Sequence, residues 1–228
     1  MYLSEFFIPR PGRLVVAPLL LLLATACSAS TEGREASATK ADTTPHESHD
    51  EEADAMRELL RLQPGDVVAD VGAGDGDWTE DLAAYVGESG IVWATEVDPD
   101  LVDELKDLAK DHPQIRPVLG DQDKTGLTEN CCDAILLRLV YHHFTDPTVM
   151  RADLHRALRP DARLLVVEIT PQRGWRELDG VPERGGHGIS MARLIEEMES
   201  DGFRAVERLE EWGDEEDEFA VVFVATTE

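Results

Sequence analysis

Two sets of residues in this chain of 228 have types and spacings suited to chemistry. The first lies in Val67-Val68-Ala69-Asp70-Val71-Gly72-Ala73-Gly74-Asp75-Gly76-Asp77-Trp78, where a short apolar run ends in an acid and glycines follow at alternate positions. A strand ending at Val71 and a helix starting near Asp77 need a sharp turn between them. Glycines there permit unusual dihedrals and let a ligand press against bare backbone. The Asp70 carboxylate can accept from a cationic or hydroxylated ligand. A second apolar run, Ile91-Val92-Trp93-Ala94-Thr95-Glu96, also ends in an acid, and Glu96 is placed to take both hydroxyls of a ribose. The spacing is D-x-G-x-G-x-G: a dinucleotide G-x-G-x-x-G counted from Gly72 would need its third glycine where Asp77 stands.

The second set is imidazoles. Tyr141-His142-His143 follows a further apolar run, and His187 lies between Gly186 and Gly188. A group titrating near neutrality suits removal of a proton from an oxygen or nitrogen acceptor. His143 and His187 are the candidate bases, with His142 a weaker one; the plain alternatives are capping or packing for the pair and a turn for His187. Glu168 closes the apolar run Leu164-Leu165-Val166-Val167 and reads as a structural hydrogen-bond partner. The chain has no C-x-x-C and no metal-ligand spacing, so no metal site is predicted.

Alternating patterns supply the elements that must position these groups. A helical stripe (Ala53, Met56, Leu59, Leu60) predicts a helix from Glu51 to Leu62, ended by Gln63-Pro64-Gly65-Asp66. Further helices are predicted over Asp77 to Tyr85, with Trp78, Leu82 and Tyr85 inward, over Pro99 to Lys110, and over Pro147 to Leu158 behind an Asp146 N-cap. An irregular stretch, Thr170 to Gly188, then precedes a helix from Ser190 to Ser200 and a hairpin of Phe203 to Leu209 with Glu218 to Ala225. Strands alternating with helices predict a parallel sheet covered on both faces, with ligands at the strands' carboxyl ends. The glycines around His187 are expected to let the irregular stretch move as a lid.

The whole pattern resembles the class I S-adenosylmethionine-dependent methyltransferases. D-x-G-x-G-x-G is similar to that family's first motif, and Ile115-Arg116-Pro117-Val118-Leu119-Gly120-Asp121-Gln122 to its third strand. The run Cys132 to Pro147 is similar to its fourth strand and the following loop, and Leu154 to Glu168 to its "L-x-x-L-K-P-G-G-x-L" helix-turn-strand. Asp161-Ala162 stands where that turn usually has Gly-Gly. The resemblance implies an α/β, Rossmann-like doubly wound sheet of about seven strands, ordered 3-2-1-4-5-7-6 with the seventh antiparallel. It implies S-adenosyl-L-methionine as cofactor, held by Asp70, Gly72, Ala73, Gly74, Gly76, Glu96, Val97, Asp121, Gln122 and Arg138, with Asp121 facing the adenine amino group. Within the family the chain looks like the predicted exported methyltransferases of bacteria, which share "YHHF-x-DP" and a late "H-x-I-S" helix start, here His187-Gly188-Ile189-Ser190. The acceptor is expected to be a small molecule. Arg173, Trp175, Arg176 and Arg184 in the irregular stretch suit an anionic or planar acceptor, or equally a salt-bridged surface loop. The absence of cysteines there speaks against an arsenic acceptor. Two other functions stay open, an adenosyl-binding domain without catalysis and a transferase of another adenosyl-derived group.

The amino terminus has its own signature. Arg10 and Arg13 flank and precede the apolar run Leu14 to Ala26, and Cys27 follows small residues. Thirteen apolar residues are short for a bilayer span and suit a secretory signal. Residues 1–26 therefore read as a lipoprotein-type signal peptide with attachment at Cys27, against plain cleavage or an uncleaved anchor; all three export the domain to the cell envelope. Residues 27–49 read as a disordered tether in which His46 and His49 are solvated, and residues 50–228 as the folded domain. The formal net charge of −27 repels phosphate backbones, which excludes nucleic acid as a partner, and confines membrane contact to the signal or lipid. Cys131 and Cys132, as sequence neighbours, are expected to remain separate thiols, one buried and one near the surface.

Overall fold

The predicted apolar runs become the strands β1 (Val67–Val71), β2 (Ile91–Glu96), β3 (Ile115–Leu119), β4 (Cys132–Arg138), β5 (Leu158–Ile169), β6 (Phe203–Leu209) and β7 (Glu218–Ala225). A computed structural model describes residues 45–172, 181–183, 186–213 and 217–226, with side chains from residue 49 onward. Among the described residues the strands form one seven-stranded sheet in the order β3-β2-β1-β4-β5-β7-β6. β1 pairs in parallel with β2 and β4, while β7 runs antiparallel to β5 and β6, as the resemblance implied. The chain order reverses beside β1, so the carboxyl ends of β1, β2 and β4 open a crevice there.

Side-chain alternation along the strands divides the core into two layers. Val68, Leu136, Leu165 and Val167 pack beneath the helices α1 (Pro45–Leu60), α2 (Asp77–Val86) and α3 (Pro99–Leu108). Ala69, Ile135, Leu137, Leu164 and Val166 pack on the opposite face with α4 (Pro147–Ala157) and α5 (Met191–Ser200). Asp98 and Asp146 cap α3 and α4, each ahead of a proline in the first turn. These prolines hold their helix starts at the carboxyl edge of the sheet. Among the described residues no helix is long and apolar enough to cross a membrane.

Three expectations change. The first helix begins at Pro45 rather than Glu51, so the folded part reaches back into the predicted tether. His49 is consequently not solvated: its ring stacks on Trp78 at 4.2 Å and its Nε2 lies 2.7 Å from Asp81 Oδ2. The half-buried Trp78 faces that helix, while Thr79, Leu82, Ala83 and Val86 form the buried side of α2. Lastly, Cys131 and Cys132 are joined in a disulfide. Strand alternation does not separate them because β4 starts only at Cys132, and Cys131 directly follows Asn130, which is in the left-handed region at φ 50°.

Asp161 occupies the left-handed region at φ 65°, in the turn where the resemblance places Gly-Gly. Replacing Asp161 with glycine relieves that conformation and should stabilise the fold by about 0.5–1 kcal/mol, read as an upward shift of the thermal midpoint. An unchanged or lower midpoint would show that the Asp161 side chain holds the turn.

Candidate functional site

The turn between β1 and α2 uses its glycines for different reasons. Gly72, Gly74 and Gly76 all have positive φ, at 76°, 58° and 95°. A Cβ on Gly72 would lie 2.5 Å from a Val140 methyl, and one on Gly76 would lie 2.7 Å from Leu108. Gly72 and Gly76 therefore answer to packing as well as to φ. A Cβ on Gly74 would meet nothing within 4 Å, so this residue offers bare backbone to open space. Ala73 is buried beside it. Glu96, at the end of β2, accepts from Gly74 N–H at 3.1 Å with one carboxylate oxygen and from Val97 N–H at 2.6 Å with the other. The two motifs read separately from the sequence thus meet at one edge.

The imidazoles assemble a short way off. Leu139, in the left-handed region at φ 56°, swings the chain out of β4 through Val140 into a single 3-10 turn, Tyr141–His143. Because Val140 is the residue against Gly72, this turn is built directly beside the glycine turn. His142 is buried, and its Nδ1 lies 2.6 Å from Oε2 of Glu168, whose side chain has no solvent exposure. Glu168 also accepts from the His142 and Ile169 backbone N–H groups. His142 Nε2 faces His187 Nε2 at 3.1 Å, and the His143 ring lies 4.1 Å from that of His142 and 5.4 Å from that of His187. The backbone of His187 lies against the end of β5; most of the stretch expected to move as a lid lies outside the described residues. Gln172 N–H donates to His187 O, and Ile189 N–H donates to Ile169 O. A Cβ on Gly186 would lie 2.7 Å from Gln172 O and one on Gly188 would lie 2.6 Å from Ile169 O. The flanking glycines serve close packing of this segment on the end of β5.

Both candidate bases are held in the neutral form. His143, though solvent-exposed, is pushed below the ordinary histidine range by partial desolvation and next by His142 and His187, which disfavour a further positive charge. The ring retains an exposed edge, so the direction of this shift carries the chemistry. His187 is lowered by burial and then by His142, against an opposing pull from Glu168. Tyr141 is unsuited to proton abstraction: burial and then Glu197 raise its phenol, which accepts from Arg151 and donates to Glu197.

Known proteins agree with this geometry. Residues 69–166 match the family model described as a methyltransferase domain. A crystal structure of an S-adenosylmethionine-dependent methyltransferase from Aquifex aeolicus superposes with a TM-score of 0.63 at 20% identity, covering 80% of this chain and 98% of that one. The fold is the Rossmann-like methyltransferase fold, and its central part is similar to a methyltransferase domain. A possible exported protein from Bordetella parapertussis gives a TM-score of 0.60 at 20% identity, over 82% of this chain and 71% of that one. In sequence, the chain is 30% identical over 110 residues to the ubiquinone/menaquinone biosynthesis C-methyltransferase UbiE of Paraburkholderia xenovorans, covering 48% of this chain and 45% of the relative. The chain spans about half the length of the curated relatives it matches.

The structure gathers some of the predicted donor residues and leaves others apart. Asp70, Gly72, Ala73, Gly74, Gly76 and Glu96 surround the glycine turn. Val97 stands exposed on its rim as an apolar wall. Asp121 and Gln122 lie exposed in a tight turn after β3, where Asp121 accepts from Gln122 N–H at 2.8 Å. Arg138 is already engaged: it lies over the Trp78 ring at 4.7 Å and pairs with Glu52 at 3.0 Å and Glu218 at 3.4 Å. Glu52, which also accepts from the Trp212 indole at 2.6 Å, escaped sequence reading because no local pattern joins residues that far apart. The central place of His142 was undervalued for a similar reason; its partner Glu168 ends a different strand. Arg173, Trp175, Arg176 and Arg184 lie outside the described residues.

Asp70 gives the protein a measurable pH signature. Burial, opposed by the Thr79 hydroxyl at 2.6 Å, raises its pKa from 3.8 to about 6. A carboxyl with a raised folded pKa favours the folded state while protonated, so its contribution is full below 3.8 and is lost as pH rises through about 6. Asp70→Asn removes the cost of the buried charge. Denaturant melts should show the variant more stable than the parent by about 2–3 kcal/mol at pH 8 and equal to it near pH 4. A difference independent of pH would contradict this reading of Asp70.

Proposed function

We infer that the protein transfers a methyl group from S-adenosylmethionine to a small acceptor seated beside the His142–His143–His187 cluster. The observation that carries this reading is the meeting of Glu96 with Gly74 N–H, beneath open space over Gly74. Glu96 would take the ribose hydroxyls, the glycine backbone would lie against the amino-acid part of the donor, and Val97 would flank the adenine. Asp121 and Gln122 would approach the base from the third strand. The donor's sulfonium supplies an activated methyl, so the protein's task is to hold both partners in line and to exclude water. Val140 ties the two halves together, touching the donor turn on one side and leading into the histidine turn on the other. His143 or His187, kept neutral, would receive the acceptor's proton.

Incubation of the full-length protein with radiolabelled donor and fractionated envelope extracts tests this. Label should appear in an extract component and vanish when Glu96 is alanine. Label transfer that persists in the Glu96 variant would sink the assignment.

We further propose export with lipid attachment at Cys27, supported by the basic start, the apolar run and the small residues before the cysteine. The structural likeness to a possible exported protein points the same way. Cys27→Ala should shift the protein from the membrane fraction to the soluble one or block its processing. An unprocessed chain recovered in the cytoplasm with Met1 intact would overturn the proposal.

A further inference from the structure

We propose that His142, His143 and His187 together bind one divalent first-row transition-metal ion, of the kind that prefers imidazole nitrogen. One ring nitrogen of each histidine falls in a group whose members all lie within 4.8 Å of one another. The closest approach, 3.1 Å between His142 Nε2 and His187 Nε2, is near the spacing of two imidazoles on a tetrahedral ion, roughly 3.3 Å for metal–nitrogen bonds of about 2.0–2.1 Å. His143 closes the set after a small side-chain rotation, which its exposed edge permits.

Two features prepare this group for an ion. Glu168 is fully buried and directs a carboxylate oxygen at His142 Nδ1, 2.6 Å away. That bond places the proton on Nδ1, presents the Nε2 lone pair to the cluster, and fixes the ring, as the carboxylates behind metal-bound histidines do. The third ligand is placed by backbone contacts: Gln172 pairs with His187, and Gly186 and Gly188 pack closely on the end of β5. Three neutral nitrogens leave a fourth position for an outside ligand, the arrangement of catalytic rather than structural zinc sites. Sequence spacing hid the site because two ligands are adjacent and the third comes from beyond β5.

The chemical consequence rests on the methyl-transfer reading. An acceptor with a hydroxyl or thiol could occupy the open position, and the ion would favour its deprotonated form beside the donor turn. His143 and His187 would then work as ligands rather than as separate bases. The acceptor class is therefore a small molecule able to coordinate through oxygen or sulfur.

The test uses the full-length protein after chelator treatment, titrated with Zn²⁺ by calorimetry and with Co²⁺ by visible absorption. One ion per chain should bind, and the Co²⁺ form should show the intense visible bands of a four-coordinate site. His143→Ala and His187→Ala, both at partly exposed positions, should each weaken Zn²⁺ binding at least tenfold, and Glu168→Gln by about 10–100-fold. His49→Ala should leave it unchanged. A chain of net charge −27 also adsorbs cations loosely, so binding that has no single-site stoichiometry, or that survives both histidine variants, overturns the proposal. S-adenosylhomocysteine titrations on the same samples separate the two readings. Donor-product binding without zinc defeats the metal site alone, and zinc binding without donor-product defeats the methyl-transfer reading.

Discussion

Glu96→Ala should weaken binding of S-adenosylhomocysteine by about 1.5–3 kcal/mol, the range for hydrogen bonds to a charged group. That is roughly a ten- to hundredfold rise in Kd by calorimetry. The size follows from the double duty of this carboxylate. It is the group placed to receive the ribose hydroxyls, and it also braces the donor turn by accepting from Gly74, Val97 and Asp98 N–H groups. Alanine removes the ligand contact and leaves three backbone donors to water. Glu96→Gln retains one acceptor oxygen and should recover part of the loss. Equal affinity in the parent and the alanine variant would remove Glu96 from the donor site.

A second large effect is expected on stability. His142→Ala should destabilise the fold by about 2–3 kcal/mol, because it removes a hydrogen bond to a fully buried carboxylate. Glu168 has no solvent exposure, and of its contacts the 2.6 Å bond to His142 Nδ1 is the shortest. Adding Glu168→Gln to that variant replaces the stranded charge with a neutral amide and should restore much of the loss in urea unfolding. If the single variant costs less than about 1 kcal/mol, as an ordinary exposed pair would, Glu168 has another partner and its role in orienting His142 is wrong.

How much of this was legible beforehand depended on how local each signal was. The strand runs ending in Asp70 and Glu96, and the alternate glycines between them, are contiguous patterns whose physics is local, so they place the turn between β1 and α2 beside the end of β2. The sheet order came from family resemblance, since the periodicity of an isolated segment says nothing about which strand it will neighbour. The start of α1 escapes the sequence because Pro45 to Asp50 is polar, and His49 is held there by a stack on Trp78 and a contact with Asp81. The glycines around His187 suggest a hinge in the sequence, and the structure adds a second reason for them: their bareness lets the chain lie against the carbonyls of Ile169 and Gln172. Sequence shows that a glycine is present without showing whether space or freedom requires it. The bridge between Cys131 and Cys132 escaped for a related reason: alternation separates neighbours only inside a regular strand, and the first of these residues precedes it.

The most direct measurement is calorimetric titration of the full-length protein with S-adenosylhomocysteine, repeated with S-adenosylmethionine. Both should bind at one site per chain and compete with each other, because the proposed donor site is one corner between Gly74 and Glu96. A folded preparation, verified by circular dichroism, that takes up neither ligand would contradict the assignment of that corner as a donor site.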